Sequence, residues 1–170
     1  MAFTFEMISA EQLKKDWEKL NWPMTGENSL ENAEIVMPRR ATYLSAGYDI
    51  FAPINIILHP GTSITIPTGL KIRLPDGFFL MIVPRSGLGF KYQIGLANTV
   101  GIIDADYCDN PTNEGHILVK LVNHGDKCCE INAGQAFCQG IVMKHFILDD
   151  DLSLKEAETR KGGIGSTDKE

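Results

Sequence analysis

Proline and glycine punctuate one long segment of this chain so densely that long helices have no place in it. Seven of the eight prolines and twelve of the sixteen glycines fall between Pro38 and Ile147. From Pro38 to Gly140 no stretch free of both exceeds nine residues, whereas a helical pattern needs about 10–12. Short strands do fit: Tyr48–Ala52, Ile54–Leu58, Ser63–Pro67, Leu70–Leu74, Phe78–Val83, Ile117–Val122, Cys129–Asn132 and Gln139–Phe146. Pro60-Gly61 and Pro75-Asp76-Gly77 are turn signals between them. Many short strands with regular turns predict an all-β sandwich or barrel.

The flanks read differently. Ser9 and Gln12 have capping-box spacing, and Ile8 with Leu13 has the spacing of a hydrophobic staple. Ala10, Leu13, Trp17 and Leu20 then fall on one helical face, so a helix is expected over residues 10–20, ended by Asn21 and Pro23. Its apolar stripe is expected to dock on the body or on a partner chain. From Asp149 an acidic run leads into Arg160-Lys161-Gly162-Gly163-Ile164-Gly165-Ser166-Thr167, a segment with little to bury and expected to be mobile. The predicted division is a helical extension over 1–34, a β domain over 35–148 and a glycine-rich arm over 149–170.

At 170 residues the chain suits a single core. A net charge of −6 makes it a poor non-specific ligand for nucleic acid or an anionic membrane, so neither is expected as a partner. The strongest apolar runs, Ile54 to Leu58 and Phe78 to Val83, are far short of the roughly 20 residues of a membrane span. Glu6 and Glu11 interrupt the start, so no signal peptide is expected. Cys108, Cys128, Cys129 and Cys138 show no C-x-x-C spacing and read as reduced thiols of a cytoplasmic protein, with a zinc site as the alternative.

Some segments carry candidate chemistry. Pro84-Arg85-Ser86-Gly87 follows an apolar strand and precedes what reads as a glycine-rich loop. An arginine, a hydroxyl and exposed N–H groups there can hold phosphate oxygens, or form an ordinary turn. Asp104 and Asp106 in Gly101-Ile102-Ile103-Asp104-Ala105-Asp106-Tyr107 lie two apart on an extended segment and share a face. Paired acids can bind a divalent cation or take a proton from water; a solvated acidic turn is the other reading. Asp49 follows a glycine in Ala46-Gly47-Tyr48-Asp49-Ile50. The tail offers unhindered N–H groups and two hydroxyls beside Arg160 and Lys161, which is phosphate-cradle chemistry without the spacing of a Walker A loop.

Taken together, these segments resemble the ordered motifs of the trimeric dUTPase family. Ala46 to Ile50 looks like the first motif, Pro84 to Gly89 the second, Asn98 to Tyr107 the third, Gly134 to Ile141 a looser fourth, and Arg160 to Thr167 the fifth. The resemblance implies a jelly-roll-like, distorted β-barrel of the β-clip kind, a homotrimer with shared sites, and Mg²⁺-assisted cleavage of dUTP to dUMP and pyrophosphate. It makes Asp104 the general base for the attacking water. Asp49 and Gln139 would act on metal-bound waters and phosphate oxygens, with the metal held mainly by the phosphates rather than by the protein. Arg85, Ser86 and Gly87 would hold the phosphates. A β-hairpin from Asn98 to Leu118, including Gly101, Ile102 and Ile103, would read the uracil edge, with Tyr107 beneath the deoxyribose. Arg160, Gly163, Ile164, Gly165 and Ser166 would close over the site.

The chain also departs from the family pattern. Ile164 stands where an aromatic usually covers the base, and the fifth motif is one residue short before Gly162. Cys108 to Gly115 is inserted after Tyr107 and is expected to lengthen the hairpin tip. A dCTP deaminase of the same superfamily and a dUTP-responsive regulatory protein with weak catalysis are the competing readings.

Overall fold

A computed structural model describes residues 3–148. In chain order its elements are β1 (Thr4–Met7), α1 (Ala10–Lys19), a 3₁₀ turn (Leu30–Asn32), β2 (Arg39–Arg40), β3 (Gly47–Phe51), β4 (Ile56–Leu58), β5 (Ser63–Pro67), β6 (Leu70–Arg73) and β7 (Phe78–Pro84). There follow α2 (Ser86–Tyr92), β8 (Ile94–Leu96), β9 (Gly101–Asp104), a 3₁₀ turn (Ala105–Tyr107), β10 (Leu118–Asn123), β11 (Cys129–Ile131) and β12 (Ala136–Lys144). Among the described residues the strands form four antiparallel sheets: β1-β6, β5-β10-β8, β11-β4 and the five-stranded β2-β3-β12-β7-β9. The described residues are all-β with two α-helices, neither of them long and apolar enough to cross a membrane.

The core lies between these sheets. Leu80 and Ile82 of β7, Ile50 of β3, Phe137 and Cys138 of β12, and Leu121 of β10 are all almost fully buried. Burial pushes the Cys138 thiol well above its ordinary value and raises Cys129 as well, so both thiols stay protonated. All four cysteines are free.

The structure corrects the sequence reading at several points. Ser86 to Tyr92 is a short helix rather than a glycine-rich loop. Two glycines weaken it, but Leu88 is 6% exposed and anchors it, and left-handed Gln93 (φ 57°) closes it. The expected hairpin from Asn98 to Leu118 is not a ladder. β9 pairs with β7, and β10 pairs with β5 and β8. Gly101 permits the β7 pairing, because a Cβ there would lie 3.0 Å from Ile82 Cβ. Residues 108–115 do not extend a tip. They fold around Asn110, whose Nδ2 donates to Tyr107 O at 2.8 Å and whose Oδ1 accepts from Thr112 N, Thr112 Oγ1 and Asn113 N.

The helix α1 forms where the spacing placed it, with Ser9 Oγ accepting from Gln12 N at 3.1 Å. Its buried face, however, is not a plain apolar stripe. Gln12, Asp16 and Trp17 are buried and Ala10 is exposed. Asp16 is tolerated inside because it accepts from Gln12 Nε2 (2.9 Å) and meets His116 Nδ1 (2.7 Å). Burial acts to raise the Asp16 pKa, but these hydrogen bonds outweigh it and hold the carboxyl below its ordinary value. Trp17 has no exposed surface, donates to Pro23 O at 2.8 Å, and packs its ring 5.6 Å from that of Trp22.

The strand β1 pairs along β6, and Arg73 of β6 bridges Glu6 and Asp109 while Lys71 also reaches Asp109. The bonds from Lys71 and Arg73 hold the Asp109 carboxyl below its usual range. Arg73, Asp109 and Glu6 are open to solvent, which screens these pairs, so they add little to stability. The Trp17 packing carries more of the attachment. Trp17→Ala should destabilise the protein by about 3–5 kcal/mol, read as a lowered denaturant midpoint at unchanged slope. A variant with a wild-type midpoint would show that α1 is not integral to the core.

Candidate functional site

Side-chain alternation along β7 organises the candidate residues. Leu80 and Ile82 point into the core, so Phe79, Met81, Val83 and then Arg85 project from the outward face. Cross-strand partners share a face. Val83 lies beside Gln139 of β12, and Gln139 lies beside Asp49 of β3. This row brings together three residues drawn from separate parts of the sequence. Arg85 Nη1 pairs with Asp49 Oδ1, and Arg85 N donates to Phe137 O at 3.1 Å. Asp49 is 8% exposed, and the guanidinium is its ion-pair partner.

The Gln139 carboxamide leans over Gly47. A Cβ built on Gly47 would fall 2.1 Å from Gln139 Oε1, so only glycine leaves room for that side chain. Ser86 and Gly87 open the first turn of α2 beside Arg85, where helical N–H groups have no intrahelical acceptors. The space over the Gly87 Cα is open, with nothing within 4 Å of a Cβ built there. Arg85 and Gly87 line a hollow of about 280 Å³, which Lys91 and Gln135 also border.

A second and larger cleft, about 430 Å³, collects the other candidates. Asn98, Gly101, Ile102, Ile103, Tyr107 and Leu118 all line it. Its walls are mostly apolar, with Asn98, Thr65 and Lys120 as polar members of the lining. Asn98 sits in a tight loop, where Val100 N donates to Asn98 O (2.7 Å) around left-handed Thr99 (φ 65°). Tyr107 is 6% exposed; its hydroxyl donates to His116 O (2.9 Å) and accepts from Asn113 Nδ2 (2.8 Å). The ring is therefore fixed as a rigid wall.

Asp104 is exposed at the end of β9, directly between Ile103 and the turn holding Tyr107. Its cross-strand neighbour is Phe79, six positions before Arg85. At about 3.3 Å per residue, the backbone at Phe79, opposite Asp104, lies roughly 20 Å from that at Arg85. One copy of the chain thus gathers Asp49, Gln139, Arg85, Ser86 and Gly87 at one end of β7 and places Asp104 beside Phe79 toward the other, with the cleft's Ile82 and Gly101 between them. Between them the outward face is apolar, with Met81 beside both Ile102 and Ile141, and Phe79 beside Met143. Ile102 is 49% exposed.

Arg160, Gly163, Ile164, Gly165 and Ser166 lie outside the described residues. Sequence reasoning overlooked Ile82, Leu96 and Lys120, which also line the cleft, and Asn113 and His116, which anchor Tyr107. The Asn-Pro-Thr-Asn run at 110–113 was the available signal for the anchor, since asparagine side chains commonly close turns on their own backbone.

Comparison with known proteins places the chain among its relatives. A family model described as dUTPase matches residues 33–168. A deoxyuridine 5'-triphosphate nucleotidohydrolase of Lactococcus lactis is 42% identical over 137 residues, covering 81% of this chain and 91% of the relative. One from Dictyoglomus turgidum is 34% identical over 140 residues, covering 79% and 91%. The crystal structure of the dUTPase from Streptococcus mutans superposes with a TM-score of 0.64 at 32% identity, covering 85% of this chain and 98% of that one. A dUTPase mutant from phage phi11 of S. aureus, described with a structural Mg(II) ion, has a TM-score of 0.61 at 19% identity and shares the fold.

The contact at Gly47 is directly testable. Gly47→Ala should swing Gln139 out of its place over the strand while the protein still folds, as a crystal structure of the variant would reveal. Gln139 found unmoved beside Ala would contradict the packing described above.

Proposed function

The chain belongs to the dUTPase family, and on that premise we propose that it cleaves dUTP to dUMP and pyrophosphate through the residues just described. Asp104 takes a proton from a water molecule, whose oxygen attacks the α-phosphorus. The bond from that phosphorus to the oxygen bridging to the β-phosphorus breaks, and pyrophosphate leaves with the electron pair. The reaction would keep dUTP low, limiting uracil in DNA, and supply dUMP for thymidylate synthesis.

The larger cleft is the proposed nucleoside site. Backbone N–H and C=O groups with Asn98 would match the acceptor at O4 and donor at N3 of uracil, a pattern that cytosine inverts. A site that hydrogen-bonds the correct base rejects the wrong one strongly, because its own polar groups are left unpaired. Gly101, Ile102, Ile103 and Leu118 would enclose the ring. The rigid Tyr107 would exclude a 2′-hydroxyl.

Arg85, with the N–H groups of Ser86 and Gly87, is the proposed phosphate grip. The Asp49 carboxylate would aim the guanidinium, which is why a buried acid can stand near a polyanion. Gln139, held over Gly47, would contribute a hydrogen bond to a phosphate oxygen or to a water. The donors suit Mg²⁺, since Asp49, Asp104 and Gln139 offer hard oxygens. Bound there, Mg²⁺ would neutralise phosphate charge and orient the triphosphate.

The single observation that carries most of this reading is the register that sets Asp104 opposite Phe79, six positions before Arg85, a backbone separation of roughly 20 Å. A triphosphate held by Arg85 cannot present its α-phosphorus to Asp104 of the same copy, so the site is proposed to be shared within a homotrimer. The apolar outward face around Met81 and Ile102 supplies surface for such packing. Arg160, Gly163, Ile164, Gly165 and Ser166 are assigned, on their motif, to covering the bound phosphates.

Incubation with dUTP, dCTP, dTTP and UTP in the presence of Mg²⁺ should release pyrophosphate from dUTP only. Asp104→Asn should lower kcat by roughly 10²–10⁴ while nucleotide binding persists. Ammonia released from dCTP would instead indicate a deaminase, and tight dUTP binding without wild-type turnover a regulatory protein. Met81→Asp should convert a trimer in solution into monomers and abolish turnover together. Full activity in a monomeric variant would exclude a shared site.

A further inference from the structure

The insertion after Tyr107 and the N-terminal helix meet at one buried histidine. His116 has no exposed surface. Its Nε2 accepts the Gly69 N–H at 2.9 Å, so the ring proton resides on Nδ1 and is donated to Asp16 Oδ2 at 2.7 Å. The imidazole is thereby gripped from two sides, by the turn between β5 and β6 and by α1.

The backbone of the same residue carries the wall of the cleft. His116 O accepts the Tyr107 hydroxyl at 2.9 Å and lies 3.5 Å from Asn113 Nδ2, while His116 N donates to Asn113 O at 2.9 Å. Two residues later Leu118 lines the opposite part of that cleft. A second tie runs alongside. Ser9, the cap of α1, donates from N (2.9 Å) and from Oγ (2.6 Å) to the two Glu114 carboxylate oxygens. These two bonds hold the Glu114 carboxyl below its usual range. Gly115, between these ties, is at φ +82°, and a Cβ there would lie 2.7 Å from Tyr107 O. The insertion is thus pressed directly against Tyr107.

We propose that His116, oriented by Asp16, is a positioning residue through which the N-terminal helix sets the Tyr107–Leu118 wall and hence the preference for a 2′-deoxy sugar. The inference rests on the larger cleft being the nucleoside site. The phosphate-directed residues Asp49, Arg85 and Gln139 lie on β3, β7 and β12, away from this junction, so loosening it weakens nucleotide binding and sugar selection more than turnover of the seated substrate. A helix that only stabilised the fold would not divide its effects in this way.

The experiment compares dUTP and UTP kinetics for the full-length wild type, Asp16→Ala and Asp16→Asn. Asp16→Ala should raise the KM for dUTP roughly tenfold with kcat nearly unchanged, and narrow the preference for dUTP over UTP. Asp16→Asn keeps an oxygen to accept the His116 proton and should recover most of both. A folded Asp16→Ala protein with wild-type KM and preference would overturn the proposal, as would an Asn variant no better than Ala. Should Asp16→Ala fail to fold, Glu114→Ala decides: it releases only the Ser9 tie, at the surface. It should raise KM in the same direction by a few-fold, and no change would likewise overturn the proposal. A wild type that does not distinguish dUTP from UTP would instead remove the nucleoside assignment itself.

Discussion

The two-residue alternation of β7 is the constraint on which the rest of the molecule depends. Leu80 and Ile82 commit one face to the core, and cross-strand packing on Val142, Ile103 and Gly140 leaves no freedom to slip. A shift of one residue would bury Met81 and Arg85 and expose the core side chains. With register fixed, the outward face inherits a set order: Phe79 beside Asp104, Met81 beside Ile102, Val83 beside Gln139, and Arg85 reaching Asp49. Gly140 is part of the same device, because a Cβ there would lie 2.9 Å from Leu80 Cδ1. The strand therefore acts as a ruler. It holds Arg85 and Asp104 a fixed distance apart, and the apolar stretch between them faces outward.

The N-terminal extension is attached by a different kind of interaction. Its helix buries Asp16 and Gln12 along with Trp17. A buried carboxylate is costly unless its hydrogen-bonding capacity is met, and here His116 and Gln12 meet it. Such a junction has geometric demands that an apolar contact lacks. The imidazole accepts only where Gly69 offers an N–H and donates only where Asp16 stands. The position of α1 and that of the segment entering β10 are consequently coupled.

Much of the candidate site could be named from the sequence because its chemistry is local. Asp104, Arg85 and Tyr107 sit in short runs whose residue types suit the tasks proposed for them, and the β character followed from glycine and proline spacing. Long-range pairing was less legible. The sequence suggests a hairpin wherever two strand-like runs flank a turn, yet β9 found its partner in β7, where Gly101 could pack flat on Ile82. The helix α2 was hidden by its two glycines, whose poor propensity is overridden by one buried leucine. Periodicity on α1 marked Trp17 correctly but passed over Asp16, because a hydrophobic pattern carries no information about a polar residue whose partner lies 100 positions away. His116, isolated in the sequence, acquires its meaning only through the three segments it joins.

The charge distribution closes the account of how an acidic chain could hold a triphosphate. The net charge of −6 repels polyanions at a distance, and in the free chain Arg85 is already paired with Asp49. A phosphate arriving at Arg85 therefore gains less from charge alone than at an unpaired guanidinium, and more from finding the donors fixed in place. On the proposed reading those donors and the base belong to different copies, so neither half carries out the reaction in isolation. Binding is then strongest where assembly has brought both halves together, and nucleotide and assembly stabilise each other by mass action. Selectivity follows from the same separation: the sugar wall and the phosphate grip must both be satisfied by one ligand spanning two chains. A nucleotide that fits only one of them receives part of the binding and none of the alignment that the reaction requires.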